Sequence, residues 1–520
     1  MEVLFFLVPF VIALISSISI NINGSDNAYH LLMIAAIRNN DNRLINKMPF
    51  FVGNPRHSYP QLLHWIFSFF SEDQGLKYAK YTGVISHLLS GIFTYLFAGW
   101  TYTYLQSEVS LSYSEFLFWV AFVFSLAPLS YDLVNAKNVG FSARGIGLVL
   151  GQIVTYLLIM YIVEDNILYL LLGSVLSFLV YFSSAFAMQY ILFLSILVTL
   201  TFLNPFLMIP SVGGILIFFL FFPRVASDYF KGQFVHKKIY ALYLAKIFFS
   251  RYSIWRDLVY DFWKMLYRSF KGEESMFRTL QYITTNPVVN LMMGIPYILL
   301  LSVLVNGDYL SFIGVLVKFL CCSFILFFLT SFRWTKFLGE PERYVEFHLP
   351  IISILAVYIY RDDVSFLLIF GVFCFVFIVL RILLAKKLMG NLRSAVNKDD
   401  IDDIKAFISR KSKVADVCVF SNRSEYNKTL LSPHYQVFRH PLFEEKIGSF
   451  HFTDLHKKAY KYIENDQLIP IMKEFGVNYL VYLKDELNQA FISKLRGSKE
   501  VNLIKEYENL LFFEYTKQNS

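Results

Sequence analysis

The chain has 520 residues, of which 56% are hydrophobic, 18% aromatic and 17% charged, with a mean hydropathy of +0.50. That balance excludes a water-soluble enzyme, a disordered chain and a collagen-like one, and its many long apolar runs require lipid as solvent. The formal charge of +8 is mild for this length and gives no support for nucleic-acid binding, while Cys321, Cys322, Cys374 and Cys418 lack metal-ligand spacing and read as small core residues.

A helix that crosses a bilayer needs about 20 mostly apolar residues. Such runs are predicted near 3–20, 81–104, 114–131, 145–163, 167–183, 185–203, 205–222, 288–306, 310–331, 347–361 and 363–385, roughly eleven spans. The first has only Glu2 where a signal peptide carries basic residues, so it is taken as a span. The fold class expected is mainly α: a polytopic transmembrane bundle over 1–385, with loops at 21–80, 223–287 and 332–346. A soluble α/β domain over 386–520 follows.

Directly after the first span, Ser25-Asp-Asn-Ala-Tyr-His-Leu-Leu32 opens a helix with Leu31, Leu32, Ile34 and Ala35 on an apolar side that would lie at the membrane surface. Asp26 reads either as a helix cap or as a general base that deprotonates an acceptor hydroxyl beside a membrane-anchored donor. His30, four positions on, shares its helical face. Pro55-Arg-His-Ser-Tyr-Pro60 and His64 form a turn into an amphipathic helix. Asp26, His30, His57 and His64 have no metal signature, so no cofactor is expected, with a divalent cation as the lesser alternative. Ser142-Ala-Arg-Gly-Ile-Gly147 places Arg144 before the fourth span, as a snorkelling arginine or a phosphate ligand. The 223–287 excursion interleaves basic and aromatic residues and reads as an amphipathic helix on the bilayer.

The loop before the tenth span, Phe337-Leu-Gly-Glu-Pro-Glu-Arg-Tyr-Val-Glu-Phe-His-Leu-Pro350, concentrates Glu340, Glu342, Arg343 and Glu346. Arg343 suits a departing phosphate, with Glu346 one turn on to orient it; a structural Glu-Arg pair is the plainer alternative. The tail from 386 holds 22 Lys/Arg and 18 Asp/Glu, 40 of the chain's 86 charges. Strands are predicted at Ala415–Phe420 and Val477–Tyr482, a helix over Leu468–Phe475 ended by Gly476, and a hairpin turning at Glu508-Asn509. With eleven spans and a cytosolic amino terminus, the long loops and the tail share the outer face. The many Lys and Arg of the excursion argue for the reverse, though that rule is weak for long translocated segments.

The Asp-x-x-x-His-Leu pattern of Asp26 to Leu31, the Tyr59-Pro60 turn, His64 and the Gly339-Glu-Pro-Glu-Arg-Tyr344 segment together resemble the GT-C class of integral-membrane glycosyltransferases. The likeness is one of architecture across the chain, carried by short motifs. It lacks the Trp-Trp-Asp of oligosaccharyltransferases and the paired Asp-Glu of protein O-mannosyltransferases, so neither acceptor carries over. The resemblance implies an inverting transferase that takes a sugar from a polyprenyl-phosphate donor to a glycan, lipid or protein acceptor. It would be a multi-pass protein of the cytoplasmic membrane with its active face outward. Asp26 would be catalytic, Arg343 and Arg144 would hold the donor phosphate, and His30, Tyr59, His64, Glu340, Glu342 and Glu346 would support the site. A transporter or flippase, or a polymerase for a lipid-linked glycan, is the alternative; no nucleotide-binding loop and no internal repeat is found.

Overall fold

The computed structural model describes residues 25–53, 56–71, 81–131, 143–244, 258–273, 286–298, 311–332, 335–393, 398–411, 418–421, 436–438, 446–451, 465–484 and 489–516, with 11, 14, 74, 78, 141, 454 and 463 singly. These are mainly helical, and the chain divides into two compact units. One comprises Met1–Asn21, Tyr78–Pro223 and Phe248–Ala385; the other comprises Ile22–Lys77, Arg224–Ile247 and Lys386–Ser520.

The first unit is a helical bundle. Four of its helices, Thr82–Leu105, Ala143–Glu164, Ala185–Phe202 and Phe312–Ser331, are long and apolar enough to cross a membrane. Other apolar runs form shorter helices, among them Tyr113–Ser125, Ile167–Ser183, Ile209–Phe221 and Leu349–Ile359. The predicted span at 3–20 lies outside the described residues apart from Val11 and Leu14, as does most of 288–306 beyond the helix Pro287–Gly294. Polar caps set the breaks: Asn166 Oδ1 accepts from Leu168 N at 3.0 Å, Asn204 Oδ1 from Phe206 N at 3.0 Å, and Ser112 forms a capping box with Glu115.

Small residues allow close packing. A Cβ on Gly214 would lie 2.7 Å from Ser177 Cβ and 2.8 Å from Phe178 N, so Ile209–Phe221 rests directly on Ile167–Ser183. Leu349–Ile359 has only 11 residues, about 16 Å of helix. It is nonetheless the most enclosed, with Ile351, Ile352, Ile354, Leu355, Ala356 and Val357 all fully buried. In the excursion, the Leu258–Phe270 helix leaves Trp263, Tyr267 and Phe270 exposed.

The second unit is built on a mixed sheet. Its strands are β1 (Cys418–Ser421), β2 (Gln436–Val437), β5 (Tyr479–Leu483), β6 (Val501–Glu506) and β7 (Leu510–Tyr515), in the order β2-β1-β5-β7-β6; β3 (Lys446–Ile447) and β4 (Phe450–His451) pair separately. β1 runs parallel to β2 and β5, whereas β7 is antiparallel to β5 and β6. Alternation along β5 and β7 sends Tyr479, Val481, Leu510 and Phe512 into one core and Leu480, Tyr482, Leu511 and Phe513 into another, so the sheet is covered on both faces.

What covers the first face is the finding that sequence patterning does not anticipate. Leu32, Met33, Ala36 and Ile37 of the helix Ser25–Arg38 join Ile401, Ile404 and Ile408 of the helix Lys398–Lys411 in that core. Of the predicted apolar side of Leu31, Leu32, Ile34 and Ala35, Leu32 enters this core, whereas Leu31 and Ala35 stay half-buried. Phe51 bridges Val437, with Val437 N to Phe50 O at 3.0 Å and Val52 N to Val437 O at 3.2 Å, so the same loop also covers the β2 edge. The first loop, Arg224–Ile247 and the tail therefore make one unit.

Candidate functional site

In the second unit, long-range hydrogen bonds fold the first loop back on its helix. Gln61 grips Ile45, accepting from its N–H at 3.0 Å and donating to its carbonyl at 2.8 Å. His57 N–H donates to Asn46 O at 2.8 Å, and Trp65 Nε1 to Asn42 O at 3.0 Å. The short helix Leu62–Ser68 is thereby set against Ser25–Arg38. His30 Nδ1 and His64 Nε2 come within 2.8 Å. The Tyr59 ring lies 5.6 Å from the His30 ring and 6.0 Å from that of His64, and Tyr29 meets Tyr59 edge-on.

This cluster is buried. His30 is 8% exposed, His57 4% and His64 0%. Burial pushes the His57 imidazole down to about 3, opposed by its hydrogen bond to the Tyr59 backbone and reinforced by His30. Burial also holds His64 well below the ordinary histidine range, with the neighbouring His30 and His57 adding to it. Both are neutral at physiological pH. His57 Nε2 is buried with no hydrogen-bond partner among the described residues. Gln233 of the helix Pro223–Ile239 reaches over the turn to Ser58 O at 3.4 Å, and His236, one turn on, is held by burial at about 3. Asp26 stands in the first turn of Ser25–Arg38, one turn before His30; its side chain lies outside the described residues. Among the described residues no three His, Cys, Asp or Glu side chains gather as a metal site.

The first unit holds the remaining predicted residues. Arg343 pairs with Glu340 three residues earlier and lies over the Phe186 ring, 5.7 Å from its centroid. Glu342 accepts from Asn290 Nδ2 at 2.6 Å, and Glu346 is buried on the same short helix, Glu342–Glu346. Glu340 thus supplies an ion pair to Arg343. Phe347 stacks on Tyr190 at 3.7 Å and would meet a Cβ on Gly151 at 2.5 Å. Gly147 presses on Ser184, the N-cap of Ala185–Phe202, and Arg144 lies one turn before Gly147 at the exposed start of Ala143–Glu164. The amino ends of these two helices, Arg144 and the Arg343 segment therefore meet at one end of the bundle.

The structure brings His30, Tyr59 and His64 together in one unit, and Glu340, Glu342, Arg343 and Glu346 together in the other. Gln61, Gln233, Phe186, Tyr190 and Asn290 are residues that sequence reasoning missed. Each is a lone side chain whose partner lies far away in the chain, with no local pattern to mark it. No protein-family model matches the chain, and no curated protein matches it.

Proposed function

We propose that the protein is an inverting membrane glycosyltransferase that moves a sugar from a polyprenyl-phosphate donor to a glycan, lipid or protein acceptor. The bundle would cross the membrane about eleven times, with transfer on the outer face of the membrane. The observation that carries the reading is that two helix amino termini, Arg144 and the Arg343 segment with its Glu340, Glu342 and Glu346 gather at one end of the bundle. Two helix amino termini, each with partial positive charge, meet there beside Arg144 and Arg343. An apolar bundle with helix amino termini and two arginines at one end suits a donor whose tail is a lipid and whose leaving group is a phosphate. Asp26, at the start of the first-loop helix, would remove the acceptor proton.

Release of polyprenyl phosphate from polyprenyl-phosphate hexoses and pentoses, measured in proteoliposomes with a membrane extract as acceptor source, tests this. Asp26→Asn keeps a capping oxygen but cannot take a proton, and should lose about a hundredfold or more of the rate. Arg343→Lys keeps the charge facing Glu340 but not the planar fork, and should be slow without a change in melting temperature. Turnover by Asp26→Asn within a few-fold of the parent would remove Asp26 from the mechanism. Release of no phosphate from any such donor would reject glycosyl transfer.

A further inference from the structure

The helix Leu258–Phe270 of the excursion has 13 residues, about 20 Å, which is short of the roughly 30 Å of hydrocarbon in a bilayer. Its carboxyl end is closed by the backbone. Gly272 takes a φ of +75° and its N–H donates to Ser269 O at 3.0 Å, while Glu273 N–H donates to Arg268 O at 3.0 Å, so the helix stops before it reaches spanning length.

At about 100° per residue, Trp263, Tyr267 and Phe270 fall within about 60° of one another on one side of this helix. They are 61%, 60% and 77% exposed, a continuous aromatic stripe on the outside of the molecule. Lys264, Arg268 and Lys271 line one flank of that stripe and are exposed as well. Lys271 Nζ stands 4.6 Å from the centroid of the Tyr267 ring, so the row of cations begins at the edge of the aromatic one. Met265, on the opposite side, is half-buried.

Such a face suits neither hydrocarbon nor water. The helix Ile209–Phe221 shows what hydrocarbon takes: it exposes Leu216, Phe219, Leu220 and Phe221 and has no charged residue. Leu258–Phe270 instead sets Trp and Tyr, which concentrate at the headgroup level of a bilayer, beside Lys and Arg, whose stems lie along apolar surface while their charged ends stay in water. Three large aromatic side chains in a row are equally out of place against bulk water.

We propose that Leu258–Phe270 is a docking surface for anionic phospholipid. The helix lies along the membrane surface with Trp263, Tyr267 and Phe270 at the boundary between headgroups and acyl chains, and Lys264, Arg268 and Lys271 meet the lipid phosphates. Charge selects the occupant. From Leu258 to Glu273 the stretch has three cations, Lys264, Arg268 and Lys271, against two carboxylates, Asp261 and Glu273, and the cations stand together beside the stripe. A zwitterionic surface engages the stripe alone, whereas an anionic one engages stripe and cations together, each Lys or Arg near it strengthening attachment about fivefold. The proposal is independent of which reaction the bundle performs.

The full-length protein in nanodiscs tests this through Trp263, whose fluorescence is isolated from that of the chain's six tryptophans as the difference between the parent and Trp263→Phe. The discs are phosphatidylcholine, alone or with about one third phosphatidylglycerol. The quenchers are lipid brominated near the headgroup end of its acyl chains and aqueous acrylamide. In the anionic discs Trp263 should be quenched by the brominated lipid at least twofold more than in the neutral ones and be protected from acrylamide. Lys264→Glu combined with Lys271→Glu should bring the brominated-lipid quenching in anionic discs down to the neutral level.

Equal quenching of the parent by brominated lipid in neutral and anionic discs overturns the assignment to anionic lipid, and that comparison decides even should the charge-reversed variant fail to fold. Quenching by acrylamide alone in the anionic discs shows a stripe left in water and rejects attachment to the membrane. Protection from both quenchers shows a stripe covered by protein, such as a second copy of the chain, and rejects it equally.

Discussion

In the unit containing Tyr78–Pro223 and Phe248–Ala385, helices present Leu168, Leu171, Leu172, Leu216, Leu220, Phe366, Val372 and Phe373 outward, while serines, threonines and glycines such as Ser177, Thr155 and Gly214 face inward. In the other unit the order is reversed: leucine, valine and phenylalanine fill two cores about the sheet, and Asp403, Lys473, Arg496 and Lys505 lie outside in ion pairs. The first arrangement belongs to helices packed through small residues with lipid around them, the second to a sheet folded in water. The same chain passes between the two units more than once, so the sheet-bearing unit is assembled from three separated stretches.

That assembly is what the largest predicted effect tests. Ending the chain after Arg393 removes the sheet against which Leu32, Met33, Ile37 and Phe51 are buried. The first loop should then open, and trypsin cleavage at Arg38, Arg43 and Lys47 should rise at least tenfold while the bundle stays monodisperse in detergent. A first loop that stays protected without the tail would show that it folds on the bundle instead, and would undo the two-unit division. Next in size is Leu480→Ala. Leu480 is fully buried in β5 between β1 and β7 and should cost about 2–5 kcal/mol. A loss below about 1 kcal/mol would mean that the sheet core relaxes freely around it.

Acid should separate the units further. The ordinary histidine value is near 6.5, and burial holds His57 at about 3 and His64 well below its usual range. Folded-state values depressed in this way mean that the unfolded chain takes up protons the folded one refuses. Stability is therefore greatest above about pH 6.5 and is lost as pH falls below it, by about 2 kcal/mol at pH 5 for His57, with His64 acting in the same direction. Chemical denaturation followed through Trp65, which sits in the helix carrying His64, should show this loss, and His57→Phe should reduce it. An unchanged midpoint between pH 7.5 and 5 would mean that water reaches these rings.

How much of this was legible depended on the sequence distance of the deciding contact. The helix Asn465–Phe475 stops where Gly476 takes a φ of +62°, and the hairpin turns between Glu506 and Leu510, where Tyr507 N meets Leu510 O at 2.8 Å; both are set by neighbours in sequence. The strand β2 has two residues and no hydrophobic alternation to detect, and it exists because it pairs in parallel with β1, while Phe51, nearly four hundred positions earlier, bridges Val437. Likewise His30, Tyr59 and His64 of the first-loop pattern do come together, but no pattern marked Gln61, which holds the turn through Ile45. Apolar runs marked the helices well. Their lengths were less readable, because a buried helix such as Leu349–Ile359 and a lipid-facing one look alike in composition.

The smallest effect sharpens the contrast from the surface. Asp403, on the helix Lys398–Lys411, accepts from Lys505 Nζ at 2.6 Å and from Tyr507 OH at 2.7 Å, tying that helix to β6 and the turn after it. Lys505 first, and then Tyr507, hold its carboxyl below the usual aspartate value, while burial beside Asp403 raises the Tyr507 hydroxyl. Both Asp403 and Lys505 are about half exposed, at 50% and 54%, so water and salt screen the attraction. Asp403→Asn removes the charge but keeps an oxygen for Tyr507, and should cost under about 1 kcal/mol at low salt and less at high salt. The docking of the helix would rest instead on Ile401, Ile404 and Ile408, which are buried in the shared core. A salt-independent loss of more than about 2 kcal/mol would show that this polar tie, and not the isoleucines beneath it, fixes the helix on the sheet.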